Sequence, residues 1–375
     1  MTAEKRRTIR ATSVPELWQG AESNPRALAR YLWSQEESFN GPHPEAGFAE
    51  LSEHDDQLVV LLSALEQSGS DAETAMVCIA VFRYWLYHGH MAVAEHRIAK
   101  VLMNIDGSAM RSLSTRTMAR LFHTAGTLKY HLGAIAEAGR LFQRGLASIG
   151  TDGRRDSAAD AIRAELRLGL ARTAMAEGDL TGMRNHAQAA LELCEGQENP
   201  NGRCTAFHLL AESARLGGRL ADAVVLSRQA LALATELGKV RSQSAELNNL
   251  ADMERRLGSR GEAARMALRA LELLVADGNV GLMPYPIIRL ATIALDNEDS
   301  RGAGLLLGLA DALLKTAGAV IDASEAAAYD ELVARLELAC GTDLLGKYRA
   351  LGAEWEERVP DLPMDIRLLT ERAGQ

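Results

Sequence analysis

Apolar positions recur along this chain with helical spacing, and from about residue 70 onward one two-helix phrase repeats. Its clearest copy is Phe207–Ala234, FHLLAESARLGGRLADAVVLSRQALALA, two helices hinged at Gly217–Gly218. Counting from Gly218, Ala221 stands at +3, Ala223 at +5 and Ala230-Leu231 at +12 and +13. Gly89 gives Ala92, Ala94 and Val101-Leu102, and Gly133 gives Ala136, Ala138 and Gly145-Leu146. Gly178 gives Thr181, Met183 and Ala190-Leu191, and Gly258 gives Gly261, Ala263 and Ala270-Leu271. A sixth copy is set on Ser300, with Ala303, Leu305 and Ala312-Leu313, so that leucine holds +13 in all six. Counting back to −8 and −7 gives Val81-Phe82, Ala125-Gly126, Leu170-Ala171, Leu210-Ala211, Leu250-Ala251 and Thr292-Ile293. Small residues at −7 and +5 let two antiparallel helices approach closely, and the +13 leucine fills the space against the next pair. Glycine at the hinge accepts the left-handed conformation that ends a helix. One pair cannot bury its own apolar face, so the copies must stack, which predicts an all-α solenoid of antiparallel helix pairs. No strand pattern of useful length appears.

The flanks read less regularly. Residues 1–12 are expected to be unstructured, Ser13 before Val14-Pro15 to cap a short helix, and Asn24-Pro25 to open a second one through ALARYLWSQEE. The stretch FNGPHPEAG, with Pro42 and Pro44, is expected to be non-helical. A helix over Leu58–Gln67 follows, and Ser70-Asp71-Ala72-Glu73 has capping-box spacing. Loops are expected at IDGSAM, IGTDGRRDS, EGQENPNGR and ADGNVGLMPYP, the last with Pro284 and Pro286 at the start of a helix. Ser324 is expected to cap a helix that stops at Gly341, with another running through Trp355 and ended by Pro360 and Pro363. Leu362–Arg372 is amphipathic and could fold back as a lid. The organisation expected is 1–69 as an N-terminal helical segment, 70–320 as repeats and 321–375 as capping helices.

The small–turn–small–AL pattern resembles the tetratricopeptide repeat over roughly residues 70–320, which implies a right-handed superhelix. Hinge spacings of 44, 45, 40, 40 and 42 residues exceed that family's usual period and look like its MalT-type variant. The run RGAGLLLGLADALLKTAGAVIDASEAAAYDELVARLELACG from Arg301 is similar to the end of LuxR-type and AfsR-type ATPase regulators. The resemblance implies a sensor region for transcriptional regulation or signalling. Rap-like peptide-sensing proteins share the variant and carry a helical bundle ahead of their repeats, which residues 14–67 could supply.

Composition narrows the function. With 375 residues, 47% hydrophobic and 5% aromatic, the chain suits Ala/Leu helix packing around a large core. A net charge of −9 argues against direct nucleic-acid binding, since phosphate backbones need a positive field. No run of about 18 apolar residues suggests a membrane span, and the basic start MTAEKRRTIR lacks a following apolar segment. Cys78, Cys194, Cys204 and Cys340 lack CxxC spacing and read as small apolar residues. The expected compartment is the cytoplasm, with no cofactor and no metal. His88, His90 and His96 lie across a turn, and no HExxH exists. GxxxxGK[ST], GxSxG, DFG and HRD are all missing, as is a basic helix-turn-helix.

The candidate site comes from the repeat geometry. In such solenoids the first helix of each pair lines the concave face, and the resemblance places exposed positions at −10, −6, −3 and −2 from each hinge. These supply the candidate groove residues Arg83, Tyr87, His123, Thr127, Tyr130, His131, Arg172, His208, Glu212, Arg215, Asn248, Asp252 and Arg255. Arginine and tyrosine make specific contacts at small entropic cost, and arginine can hold a carboxylate or phosphate bidentately. The alternative is ordinary surface, with the arginines paired to Glu212, Asp252 and loop acids. The sixth copy contributes Leu290, Ala294, Asn297 and Glu298. The lysine/asparagine clamp of chaperone-binding tetratricopeptide domains is absent. The favoured reading is a non-catalytic scaffold or sensor binding a peptide, a protein partner or a small effector, and it leaves room for an oligomer. Two alternatives stand beside it: a groove enzyme using His123, His208 and Glu212 as acid–base groups, and a Rap-like modulator of a response regulator. Trp18 and Trp33 are expected to anchor the N-terminal helices.

Overall fold

The computed structural model describes residues 14–41, 44–104, 111, 113–150, 156–196, 199–321, 323–363, 366 and 367. The expectations for residues 1–12, Ser13, IDGSAM, the middle of IGTDGRRDS and the end of the Leu362–Arg372 segment fall outside them. The described residues are helical with no strand, and they form two compact units, Met1–Gly178 and Asp179–Gln375. No helix among them is long and apolar enough to cross a membrane.

The first unit begins with five short helices: α1 (Val14–Gln19), α2 (Pro25–Ser34), α3 (Glu36–Asn40), α4 (Glu45–Glu53) and α5 (Asp55–Gln67). They bury Trp18, Leu28, Leu32, Phe39 and Leu62 against Val77, Val81 and Trp85 of α6 (Asp71–His88). Trp18 also donates to Glu50 at 3.0 Å, while Trp33 lies under the Arg120 guanidinium at 5.1 Å. Both tryptophans therefore tie the N-terminal helices into the unit. The repeat pairs follow as α6 with α7 (Met91–Met103) and α8 (Thr115–His131) with α9 (Ile135–Ile149), closed by α10 (Ser157–Ala176). The small-residue rule is visible at Phe142 of α9, whose ring lies against both Gly126 of α8 and Gly169 of α10. A Cβ on either glycine would stand 2.6 Å from that ring.

The second unit runs α11 (Leu180–Glu195), α12 (Pro200–Leu216), α13 (Leu220–Glu236), α14 (Val240–Arg256), α15 (Arg260–Asp277), α16 (Pro284–Asp296) and α17 (Ser300–Thr316). It ends with α18 (Ala323–Cys340), α19 (Thr342–Ala353) and a 3-10 turn at Glu354–Asp361. Each helix from α11 to α17 packs on the next. Gly304 of α17 lies against Tyr348, Gly308 against the Arg349 backbone, and Gly352 of α19 against the Leu305 backbone, so α17 and α19 cross with no room for a Cβ. Leu362 and Ile366 are buried, and Arg367 donates to Glu272 of α15 at 2.6 Å.

Several expectations are corrected. The sixth hinge is Glu298, not Ser300: Glu298 has φ 64°, and Ser300 is the first residue of α17. The turn hydrogen bond from Asp299 N to Ala294 O (3.0 Å) matches those from Arg219 N to Ala214 O and Ser259 N to Glu254 O, both 2.8 Å. Moving the count by two aligns Leu290-Ala291 with Leu210-Ala211 and Leu250-Ala251, and it removes the +13 leucine from this copy. The sixth set of groove positions moves accordingly. Ser70 does not close a capping box; its hydroxyl accepts from the Arg26 guanidinium at 3.1 Å, a charged donor that outcompetes a backbone N–H. Pro200–Arg203 belong to α12, with Asn199 capping Gly202 N at 2.9 Å, and Glu45–Gly47 belong to α4. α18 begins at Ala323, one residue before Ser324.

Candidate functional site

In the first unit, α6, α8 and α10 lie in succession, with α3 against α6. Between them is a cavity of about 330 Å³ lined by Glu36 and Asn40 of α3, Phe82, Arg83 and Tyr87 of α6, Arg120, His123 and Thr124 of α8, and Glu165 of α10. Three of these, Arg83, Tyr87 and His123, are sequence candidates. Arg83 donates to the carbonyls of Asn40 and Gly41 at 2.9 and 2.5 Å, and its guanidinium lies 5.5 Å from the centre of the exposed Tyr87 ring. His123 Nδ1 stands 3.9 Å from Glu165, an ion-pair distance too long for a hydrogen bond. Its ring tilts against Phe142 at 5.9 Å.

Along the same helices, Thr127 is partly buried one turn beyond His123, and the Tyr130 and His131 rings meet edge-on at 5.9 Å. Arg172 of α10 lies within electrostatic reach of His123, Tyr130 and His131. Burial pulls Arg172 below its ordinary value, and only the Tyr130 phenol pushes back. Burial likewise lowers His123, with Glu165 opposing and Arg172 and Arg120 assisting; burial and then Arg172 lower His131. The face thus holds neutral imidazoles at pH 7 beside a partly buried cation.

The candidates on the second unit are engaged differently. Arg215 grips Glu212 through Nε and Nη2 at 3.1 and 2.7 Å, and Asn249 adds a bond to Glu212 at 3.2 Å. Arg255 reaches Asp296 at 2.8 Å and Asp252 at 3.4 Å. Buried Arg289 bridges Asp252 and Glu325 at 3.0 Å each, and Arg335 adds to Asp296 at 2.6 Å. Burial alone would lower Arg215 and Arg255, yet their carboxylate partners hold both above the ordinary value. His208 pairs with buried Glu246 at 2.5 Å, and Glu246 also accepts from Ser227 at 2.5 Å. Asn248 is 7% exposed, and its side-chain oxygen has no hydrogen-bond partner.

Glu36, Asn40, Arg120 and Glu165 line the cavity without having been singled out from sequence. Arg120 could have been, because it sits three residues before His123 and so shares its helix face. Glu36 and Asn40 lie outside the repeats and carry no such signal.

No protein-family model matches the chain, and no curated protein matches it. Solved structures do. The apo form of RapI aligns with a TM-score of 0.60 at 10% identity, over 92% of this chain and 97% of that one. A signal transduction ATPase with numerous domains and a tetratricopeptide repeat sensor, from Pyrococcus horikoshii, aligns with a TM-score of 0.52 at 10% identity, over 91% of this chain and 52% of that one. NprR in complex with its cognate peptide NprX aligns with a TM-score of 0.50 at 14% identity, over 92% and 99%. The fold is therefore that of a tetratricopeptide-like helical-repeat protein, as the spacing of small residues predicted.

Proposed function

We propose that this chain is a non-catalytic regulatory scaffold that binds a peptide or an extended partner segment on the α3–α6–α8–α10 face of its first unit. The observation that carries the reading is the cavity between those helices, where Arg83, Tyr87 and His123 face open volume. In the second unit, the candidates Arg215 and Arg255 are instead paired with the candidates Glu212 and Asp252 and with Asp296. NprR holds a peptide on a fold of this kind, and the Pyrococcus ATPase uses such repeats as a sensor, which supports the same use here. The MalT-like resemblance adds a transcriptional readout and a cytoplasmic setting.

The test is selection of a random peptide library on the full chain, followed by anisotropy titration of a selected peptide against variants. Tyr87→Ala and His123→Ala should each weaken binding about tenfold or more, in line with loss of an interface anchor, while Arg219→Ala in the second unit leaves it unchanged. Selected peptides indifferent to both first-unit variants would overturn the assignment. A Rap-like modulator of a response regulator is the second reading, favoured by the five helices packed ahead of the first repeat pair.

A further inference from the structure

We infer that Arg172 is the receptor for a carboxylate of the bound peptide, with the Tyr130 hydroxyl and the His131 ring beside it; the inference rests on the peptide reading above. Among the described arginines on this face, the others have oxygen partners. Arg83 holds two carbonyls, Arg116 holds Asp156, Arg120 holds Glu36, and Arg163 holds Asp160 and the Gly150 carbonyl. Arg172 alone of these five makes no hydrogen bond and no ion pair to any described residue, although it is partly buried. A guanidinium partly withdrawn from water without a counter-charge costs the fold some stability, which an incoming anion would restore. Its five N–H groups form a planar fork that matches a carboxylate in bidentate geometry. Tyr130 adds a hydroxyl donor from the neighbouring helix.

A single negative charge fits better than a dianion. Arg172 is one full positive charge, its neighbouring imidazoles are neutral at pH 7, and Glu165 stands on the same helix. A phosphate bearing close to two charges would find one cation for two anionic charges, in a chain already at −9.

The experiment uses the full chain and the peptide selected as above. Each Asp and Glu of the peptide is replaced by its amide, the terminal carboxylate is amidated, and affinities are measured for the parent protein and for Arg172→Gln. One carboxylate should stand out, its loss weakening parent binding roughly 30-fold, within the range for charged hydrogen-bonded pairs. In Arg172→Gln the same change should matter less than about threefold, because the coupling is gone. Arg172→Gln should also melt no lower than the parent, since no native bond is lost. The inference falls if every amide peptide binds the parent as tightly as the acid, if phosphorylating the peptide binds better than any carboxylate, or if Arg172→Gln melts several degrees lower. Binding that ignores every carboxylate yet is lost in Tyr87→Ala and His123→Ala would keep the peptide site and remove only Arg172. Failure to select any peptide would remove both.

Discussion

The two units place similar residue types at equivalent repeat positions and use them in opposite ways. In the second unit, Arg215 is paired with Glu212 inside α12, and the chain Glu325–Arg289–Asp252–Arg255–Asp296–Arg335 ties α14, α16 and α18 together through charge pairs. In the first, the corresponding face opens into a cavity, and Arg172 has no anionic partner among the described residues. The same polar surface is thus a brace in one half and, in the function proposed above, a binding face in the other. An arginine at a groove position is informative only once its acids are located.

The largest expected effect breaks the brace. Arg289→Ala leaves Asp252 short of one cation and Glu325 without its partner, and removing one side of a buried pair costs about 3 kcal/mol; urea denaturation should show it, and a change under about 1 kcal/mol would mean the ladder is decorative. Gly169→Ala probes the other half, where steric fit around Phe142 dominates. Overpacking there should cost about 2 kcal/mol, and a neutral result would show that the ring can turn aside.

Acid should separate the halves next. His123 and His131 have folded values below 6.5, so the fold disfavours their protonated forms. Their contribution is complete above 6.5 and is lost as pH falls from there through the lowered folded values. Burial pushes Asp296 up, but Arg335 and Arg255 outweigh it and hold it below 3.8, so its contribution persists until pH falls below that ordinary value. Melting temperatures measured across mild acid should fall less in His123→Gln than in the parent, while Asp296→Asn should matter only at the acid extreme. Identical pH profiles for parent and His123→Gln would contradict the burial argument.

The smallest effect lies at the sixth hinge. Glu298 adopts φ 64°, which costs a side-chain-bearing residue about 1 kcal/mol relative to glycine, so Glu298→Gly should raise the melting temperature slightly. A lower melting temperature would indicate that the Glu298 side chain has a stabilising contact.

Much of the fold was legible because the physics is local. Gly89, Gly133, Gly178, Gly218 and Gly258 all have the positive φ that their place after a helix required. The sixth hinge is hidden in the sequence because Glu298 carries no such mark, and Leu313 mimics the +13 leucine two residues out of phase. At the site, the partners of Arg215 and Arg255 at i−3 were within reach of spacing alone. Arg289 and Arg335 were not, since their carboxylates lie 36 to 39 positions away in sequence. Glu36 of the cavity comes from a helix outside the repeat, where periodicity says nothing.

Between Gly218 and Gly318 of the second unit, the left-handed residues fall at 218, 238, 258, 278, 298 and 318, one at every twentieth position. Such a chain can be shortened or lengthened like shelving. Excising residues 219–258 would join Gly218 to Ser259 and hand the Ala214 carbonyl a fresh amide of the same phase. A cut one residue longer would swing every later side chain by about 100° around its axis, so only whole hairpins are interchangeable parts.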